Sequence, residues 1–325
     1  MAGQNYYIGS NIRVTVTVFI LPAGEVSKIK IFAYAKINLT LSVLGKRTDG
    51  YHDVEMVMQS IELHDIIQIR SLVEGVSLTV AGADLPAGEE NLVMRAVKLL
   101  GRELGVKRGV HIHLAKRIPV AAGLGGGSAD AAATLVALNM IWRLGLTLPE
   151  MMELGVALGS DVPFCLLGGT AIARGRGESL TPVQSGPQMG LVLVKPPFSV
   201  STAQTYNSFT GRQNNRSPDC NAMVVALSQN NLAAVAFNLV NDLEEVTAAR
   251  HPEISQIKNR LLAAGASGVL MTGSGPTVFG LAPDLASARL VAARYRRVRG
   301  EQLLVTQTIS PGLQPSGLRS EAKKG

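Results

Sequence analysis

The stretch from Pro119 to Ala133, P-V-A-A-G-L-G-G-G-S-A-D-A-A-A, constrains this chain more than any other. Gly123, Gly125, Gly126 and Gly127 crowd together, and an alanine-rich segment follows at once. Residues 109–117 alternate apolar and polar side chains as a strand does, whereas 128–144 has the content of a buried helix. The glycines are therefore expected to form a strand-to-helix turn. The first N–H groups of a helix lack intrahelical acceptors and stand at the positive end of its dipole, so such a turn can cradle a phosphate. Ser128 is placed as its cap or first-turn hydroxyl, with Asp130 in the first turn. A flexible turn with no ligand is the plainer alternative.

Two common phosphate loops are excluded. A Walker loop needs Lys and then Ser or Thr after its last glycine, and Gly127 is followed by Ser128 and Ala129. A dinucleotide fingerprint needs a third glycine where Ser128 stands. At 325 residues the chain has room for two domains. The net charge of +7 suits acidic ligands, nucleotides among them, or weak attraction to nucleic acid. Only 4% of residues are aromatic, too few for a single-strand-binding surface of stacking platforms. Cys165 and Cys220 are the only cysteines, so no disulfide framework or cysteine metal site is expected and a reducing cytoplasm is the natural location.

The remaining chemistry is spread along the chain. Residues 1–27 read as an N-terminal extension, whose uncharged run Val14–Leu21 is too short to span a membrane and lacks a signal-peptide pattern. From Lys30 an alternating strand runs to a break at Gly45, with Lys36 and Asn38 on one face. A lysine there is either at a solvated edge or functional. Asp49-Gly50 is a turn signal, followed by Tyr51 and His52. Asn91 is a plausible cap for a helix to about Leu104, and Leu92 a plausible core residue. His111 and His113 share a strand face, but no third metal ligand is spaced to join them. Asp161, in G-S-D-V-P-F, is a helix cap, a turn residue or a functional carboxylate. The Pro/Gly/Gln-rich segment 181–188 is the best domain boundary, and the tail from 311 is expected to be disordered.

P-x-x-x-G-L-G-G-G-S-A-D-A-A-A resembles the phosphate motif of the GHMP kinases, and M-T-G-S-G-P-T-V-F resembles their third motif. A-K-I-N-L-x-L, G-K-R-x-D-G-Y-H with M-Q-S-I, and V-S-T-x-x-x-Y resemble the branch whose acceptor is 4-diphosphocytidyl-2-C-methyl-D-erythritol, in non-mevalonate isoprenoid biosynthesis. The resemblance covers about residues 29–310 and implies an α+β fold: a domain like ribosomal protein S5 domain 2 over 28–183 and a ferredoxin-like domain over 184–310. It implies Asp161 as catalytic base and Lys36 beside the acceptor hydroxyl. ATP would meet Pro119, Gly123, Leu124, Gly125, Gly126, Gly127, Ser128 and Ala129, with Asn91 and Leu92 near adenine. Asn38, Tyr51, His52, Thr202 and Tyr206 would bind the acceptor, the two tyrosines bracketing its base, while Gly273, Ser274 and Gly275 return beside the first loop. Mg²⁺ is implied, with Ser128 as a candidate ligand, and the protein is expected to be a monomer or weak homodimer that binds neither nucleic acid nor membrane. A kinase for mevalonate or homoserine, a regulatory relative and a basic nucleic-acid binder are the rivals; steep salt dependence of nucleic-acid binding would mark the last.

Overall fold

The computed structural model describes residues 26–212 and 216–309, with side chains from Lys28, and the backbone of 4–8, 12–16 and 19–20. Of the expected extension it describes β1 (Gln4–Ile8) paired with β2 (Ile12–Val16), and β3 (Phe19–Ile20), which joins the edge of the main sheet. The expected disordered tail lies outside the described residues.

The main sheet is built on β4 (Val26–Lys46) and β5 (His52–Leu72), antiparallel strands of 21 residues each. Burial alternates along β4 from Ile29 to Ala35, as a two-residue side-chain period requires, and from Ala35 to Val43 both faces of the strand are buried. The expected break at Gly45 does not occur. The strand continues to Lys46, absorbing the glycine in a register shift, and turns at Gly50. Two further shifts lie beside Ala35 and Leu39. Each releases backbone from the ladder: Lys36 N donates to Leu124 O at 3.0 Å, and Asn38 N donates to Thr272 Oγ1 at 3.0 Å. The bulges thus attach two distant glycine turns to one strand.

β6 (Val76–Ala81), α1 (Leu92–Leu104), β7 (Gly109–Ala115) and α2 (Gly126–Trp142) follow. Asn91 caps α1 by accepting from Val93 N. Helix α2 is buried on nearly every side, from Ala129 through Leu138, which marks it as a central helix rather than a surface one. α3 (Leu148–Val156) begins with a capping box between Thr147 and Glu150, and α4 (Val162–Leu167) begins at Asp161. A hairpin of β8 (Thr170–Gly175) and β9 (Ser179–Pro182) adds to β5.

β10 (Gly190–Lys195) opens a second, four-stranded sheet. α5 (Thr202–Asn207), α6 (Cys220–Ser228), α7 (Leu232–Phe237), β11 (Val240–Asn241), α8 (Asp242–Arg250) and α9 (Glu253–Ala263) precede β12 (Gly268–Met271), β13 (Val278–Ala282), α10 (Leu285–Arg294) and β14 (Gln302–Gln307). The strand order is β12-β13-β10-β14, all antiparallel. Val192 and Val194 face α9 and α10, whereas Leu191 and Leu193 share a core with Ile37, Leu39, Val57 and Ile61 of the first sheet. β11 pairs in parallel with β4, and Ile61 bridges Thr308. Residues on either side of the 181–188 link therefore close one common core, and the cavity lies along that seam.

Candidate active site

Gly123 and Gly125 both take positive φ, 75° and 69°. A Cβ on Gly123 would lie 2.4 Å from Thr272 O, and one on Gly125 would lie 2.9 Å from Lys36 Cγ. Glycine is required there because a second turn and a lysine press against the loop. Gly125 caps α2, and its first helical hydrogen bond runs from Ala129 N to Gly125 O. This corrects the expected start at Ser128: Gly126, Gly127 and Ser128 form the first turn, and their three amides have no intrahelical acceptor. Ser128 is a first-turn hydroxyl, not the cap. Ala129 leaves the predicted nucleotide set on geometric grounds, since the fourth helical position turns into the core.

Opposite these amides, Lys36 is 5% exposed, donates to Asn38 Oδ1 at 2.8 Å and lies 3.4 Å from Asp161 Oδ2. Asp161 occupies the cap position of α4 but makes no side-chain cap hydrogen bond. Its carboxylate is turned towards Lys36 and the cavity instead. The Tyr206 phenol and the Cys165 thiol are both pushed well above their ordinary pKa ranges, chiefly by burial and then by the charge of Asp161.

The second glycine turn is held from several sides. Asn241 donates to Met271 O at 2.7 Å and to Gly273 O at 2.8 Å; Thr247 donates to Ser274 O at 3.2 Å; Thr202 and Ser274 share a hydroxyl hydrogen bond of 2.9 Å. Gly273 and Ser274 border the cavity. Gly275 is tucked behind them, where a Cβ would meet Met271 Sδ at 2.5 Å.

At the far end Tyr206 packs on His52, ring centroids 5.4 Å apart and tilted by 32°. Tyr51 is 56% exposed and lies beneath the Arg176 guanidinium, 4.8 Å from its ring centroid. These contacts differ from the expected Tyr51–Tyr206 bracket, because the turn after β4 sets Tyr51 at the rim beside the β8–β9 hairpin while His52, the first residue of β5, faces α5.

One cavity of about 930 Å³ joins these groups. It brings together Lys36, Asn38, Tyr51, His52, Asn91, Leu92, Pro119, Gly123 to Ser128, Asp161, Thr202, Tyr206, Gly273 and Ser274. Its lining also includes Asp130, read from the sequence only as a helix residue, and Lys116, Ser160, Arg176 and Asn207, to which the sequence reading gave no role. An aspartate among the alanines at the buried start of α2 was the available signal for the cluster with Lys116.

Among the described residues no three His, Cys, Asp or Glu side chains are grouped to hold a metal. His111 and His113 are instead hydrogen-bonded to Ser77 and Thr79. A nucleotide-borne Mg²⁺ asks less of the protein, one or two oxygen donors beside phosphate oxygens. The Ser128 hydroxyl, facing Gly159, and the Asp161 carboxylate fit that requirement. No helix among the described residues is long and apolar enough to cross a membrane.

Comparison with known proteins gives two family matches: the GHMP kinases N terminal domain over residues 91–169 and the GHMP kinases C terminal domain over 223–299. A 4-diphosphocytidyl-2-C-methyl-D-erythritol kinase of Pelotomaculum thermopropionicum is 60% identical over 282 residues, 86% of this chain and 98% of that one. A crystal structure of a 4-(cytidine 5'-diphospho)-2C-methyl-D-erythritol kinase superimposes with a TM-score of 0.76 at 34% identity, covering 87% of this chain and all of the other. A homoserine kinase from Cytophaga hutchinsonii shares the fold, with a TM-score of 0.70 at 20% identity over 87% of this chain and 95% of its own.

Proposed function

The chain belongs to the GHMP kinases, and we propose that it transfers the γ-phosphoryl group of ATP to the 2-hydroxyl of 4-diphosphocytidyl-2-C-methyl-D-erythritol, giving the 2-phosphate and ADP in non-mevalonate isoprenoid precursor biosynthesis. The observation that carries the mechanism is the Lys36–Asp161 pair, facing the three free amides of α2 across one cavity. Phosphoryl transfer asks the protein mainly for positioning and charge stabilisation. The amides of Gly126, Gly127 and Ser128 hold phosphate oxygens at the positive end of α2. Asn91 and Leu92 border the adenine end.

Asp161 orients the acceptor hydroxyl and takes its proton, while the Lys36 ammonium, itself fixed by Asn38, stabilises charge developing on that oxygen. Mg²⁺, when bound through Ser128 or Asp161, neutralises phosphate charge. At the other end His52 and Tyr206 offer rings to a flat base, and Tyr51 with Arg176 closes the rim. Residues 28–183 supply the loop and both catalytic groups, and 184–310 supply Thr202, Tyr206 and the second glycine turn. We place the protein in the cytoplasm as a monomer or weak homodimer, without nucleic-acid or membrane partners.

The test is ADP release from purified protein with Mg²⁺ and ATP, given 4-diphosphocytidyl-2-C-methyl-D-erythritol, mevalonate or homoserine in parallel. Turnover with the cytidyl alcohol alone is expected. Turnover with another alcohol instead would discard the base-recognition half of the reading.

A further inference from the structure

The turn between β4 and β5 carries three charged residues, Arg47, Asp49 and Asp53, that the reaction just described leaves unused. Arg47 N donates to Tyr51 O at 2.8 Å and Gly50 N donates to Arg47 O at 3.2 Å, so the chain reverses between Arg47 and Gly50. Gly50 closes the turn at φ 86°, in the left-handed region that glycine enters without strain. The last ladder pair is Lys46 with His52, which leaves the Tyr51 N–H outside the strand pairing. Its acceptor is the Asp49 side chain, whose Oδ1 lies 3.1 Å from Tyr51 N. An aspartate that accepts from the amide two residues on is a common turn device. Here that amide belongs to the residue that carries the rim ring.

Arg47 extends this arrangement to the other side of the recognition pair. Its Nε donates to both Asp49 carboxylate oxygens, at 3.3 and 3.1 Å, and its Nη1 donates to Asp53 Oδ1 at 2.7 Å. Asp49 stands two residues before Tyr51 and Asp53 directly after His52, so one planar guanidinium bridges the segment from end to end. All three side chains are at least a third exposed, and an ion pair at such a surface contributes little to stability when taken singly. The contribution of this network is therefore geometric. The Tyr51 ring lies under Arg176 and the His52 ring against Tyr206, and both orientations start from backbone that the network holds. The Tyr51 amide, with Arg47 and Arg176 adding to it against some burial, keeps the Asp49 carboxyl below the usual carboxylate range.

Resting on the kinase reading above, we propose that Asp49 and Arg47 are positioning residues for the base of the acceptor. Asp49 sets the rim ring by accepting the Tyr51 amide, and Arg47, by bridging Asp49 to Asp53, keeps Tyr51 and His52 in their binding shape before the acceptor arrives. Such preorganisation raises affinity because the ordering cost is removed from the binding step. The phosphate end is held separately, by the bonds of Lys36 and Asn38 to the two glycine turns. Loss of the network therefore acts on KM for the acceptor and leaves kcat and KM for ATP in place. Asp49 also borders the cavity, where its carboxylate could instead touch the acceptor directly. Asparagine separates the two roles, since it keeps a side-chain oxygen for the Tyr51 amide and gives up the charge.

The test measures steady-state kinetics with the cytidyl alcohol, and amide hydrogen exchange at Tyr51 by NMR, in wild type, Asp49→Ala, Asp49→Asn and Arg47→Ala, with folding checked by circular dichroism. Asp49→Ala is expected to raise KM for the alcohol about three- to tenfold, as the loss of one hydrogen bond does. Its kcat and KM for ATP should hold, and exchange at Tyr51 should quicken. Asp49→Asn should stay within about twofold of wild type in the same KM and keep the slow exchange. Arg47→Ala should raise that KM about two- to fivefold. Asp49→Asn as weak as Asp49→Ala, an Asp49→Ala KM equal to that of wild type, or Tyr51 exchange that Asp49→Ala leaves unchanged overturns the proposal. If Asp49→Ala does not fold, Arg47→Ala decides, and a wild-type KM there overturns it equally. Turnover of mevalonate or homoserine in place of the cytidyl alcohol, with the expected exchange pattern, would uphold the hold on Tyr51 and overturn the acceptor assignment.

Discussion

The two ends of the cavity are built on different terms. At the phosphate end the contacts are backbone and buried charge: Gly123 against Thr272, Lys36 N on Leu124 O, and Asp65 on two amides. Little there can move alone, because each contact fixes an atom that also belongs to another. At the recognition end the contacts are between side chains: Tyr51 beneath Arg176 at the exposed rim, and His52 against Tyr206, which packs on the core. None of these side-chain contacts belongs to the hydrogen-bond ladder of the sheet. The difference teaches that the chemistry is written into the fold, and the choice of acceptor into a rim laid over it.

The sharpest way to break that division is Asp161→Ala. Asp161 is held by an ion pair and makes no capping bond, so its removal should leave α4 intact. Turnover is expected to fall by roughly two to four orders of magnitude, with affinity for metal-free ADP by calorimetry barely changed. Near-normal turnover would remove Asp161 as base.

Next is a pair of glycines with similar backbone and different surroundings. Gly123 has φ 75° and Thr272 O where a Cβ would go; Gly75 has φ 82° and open space. Gly75→Ala should cost about 1–2 kcal/mol in thermal unfolding without altering kinetics. Gly123→Ala must also displace the second glycine turn, and kcat/KM is expected to fall on the order of 10²-fold. Equal behaviour of the two would mean that the loop is less tightly fixed than its contacts imply.

How much of this was legible follows the same division. Alternation drew β4, the asparagine at a helix start drew the cap at Asn91, and composition drew the buried character of α2, since each depends on neighbours in sequence. The glycine loop was legible as a helix entrance, with the cap at Gly125 and Ser128 as the first-turn hydroxyl, the second of its two expected places. The bulges of β4 were not legible. Whether Lys36 and Asn38 leave the ladder depends on Leu124 and Thr272, which local alternation does not report. Lys116 and Asp65 are 51 residues apart, so their pairing left only the indirect mark of charges in apolar runs. The common core across the 181–188 link escaped for a related reason: both faces of β10 are apolar, and the sequence does not say which elements cover them.

The recognition end carries the smaller effects, and their order is itself a test. Tyr206 gives a base its largest flat partner, and stacking of about 1–3 kcal/mol predicts that Tyr206→Ala raises KM for the cytidyl alcohol roughly 10- to 100-fold while KM for ATP stays put. Arg176 touches Tyr51 at a solvent-exposed rim, where a cation–π contact contributes only about 0.5–1 kcal/mol. Arg176→Ala should therefore raise the same KM about two- to fivefold, and Arg176→Lys should recover part of it by retaining the positive charge. A loss from Arg176→Ala larger than that from Tyr206→Ala would invert the order. The guanidinium would then be the principal recognition group, reading acceptor charge directly, and the ring contact with Tyr51 would be only what holds it in place.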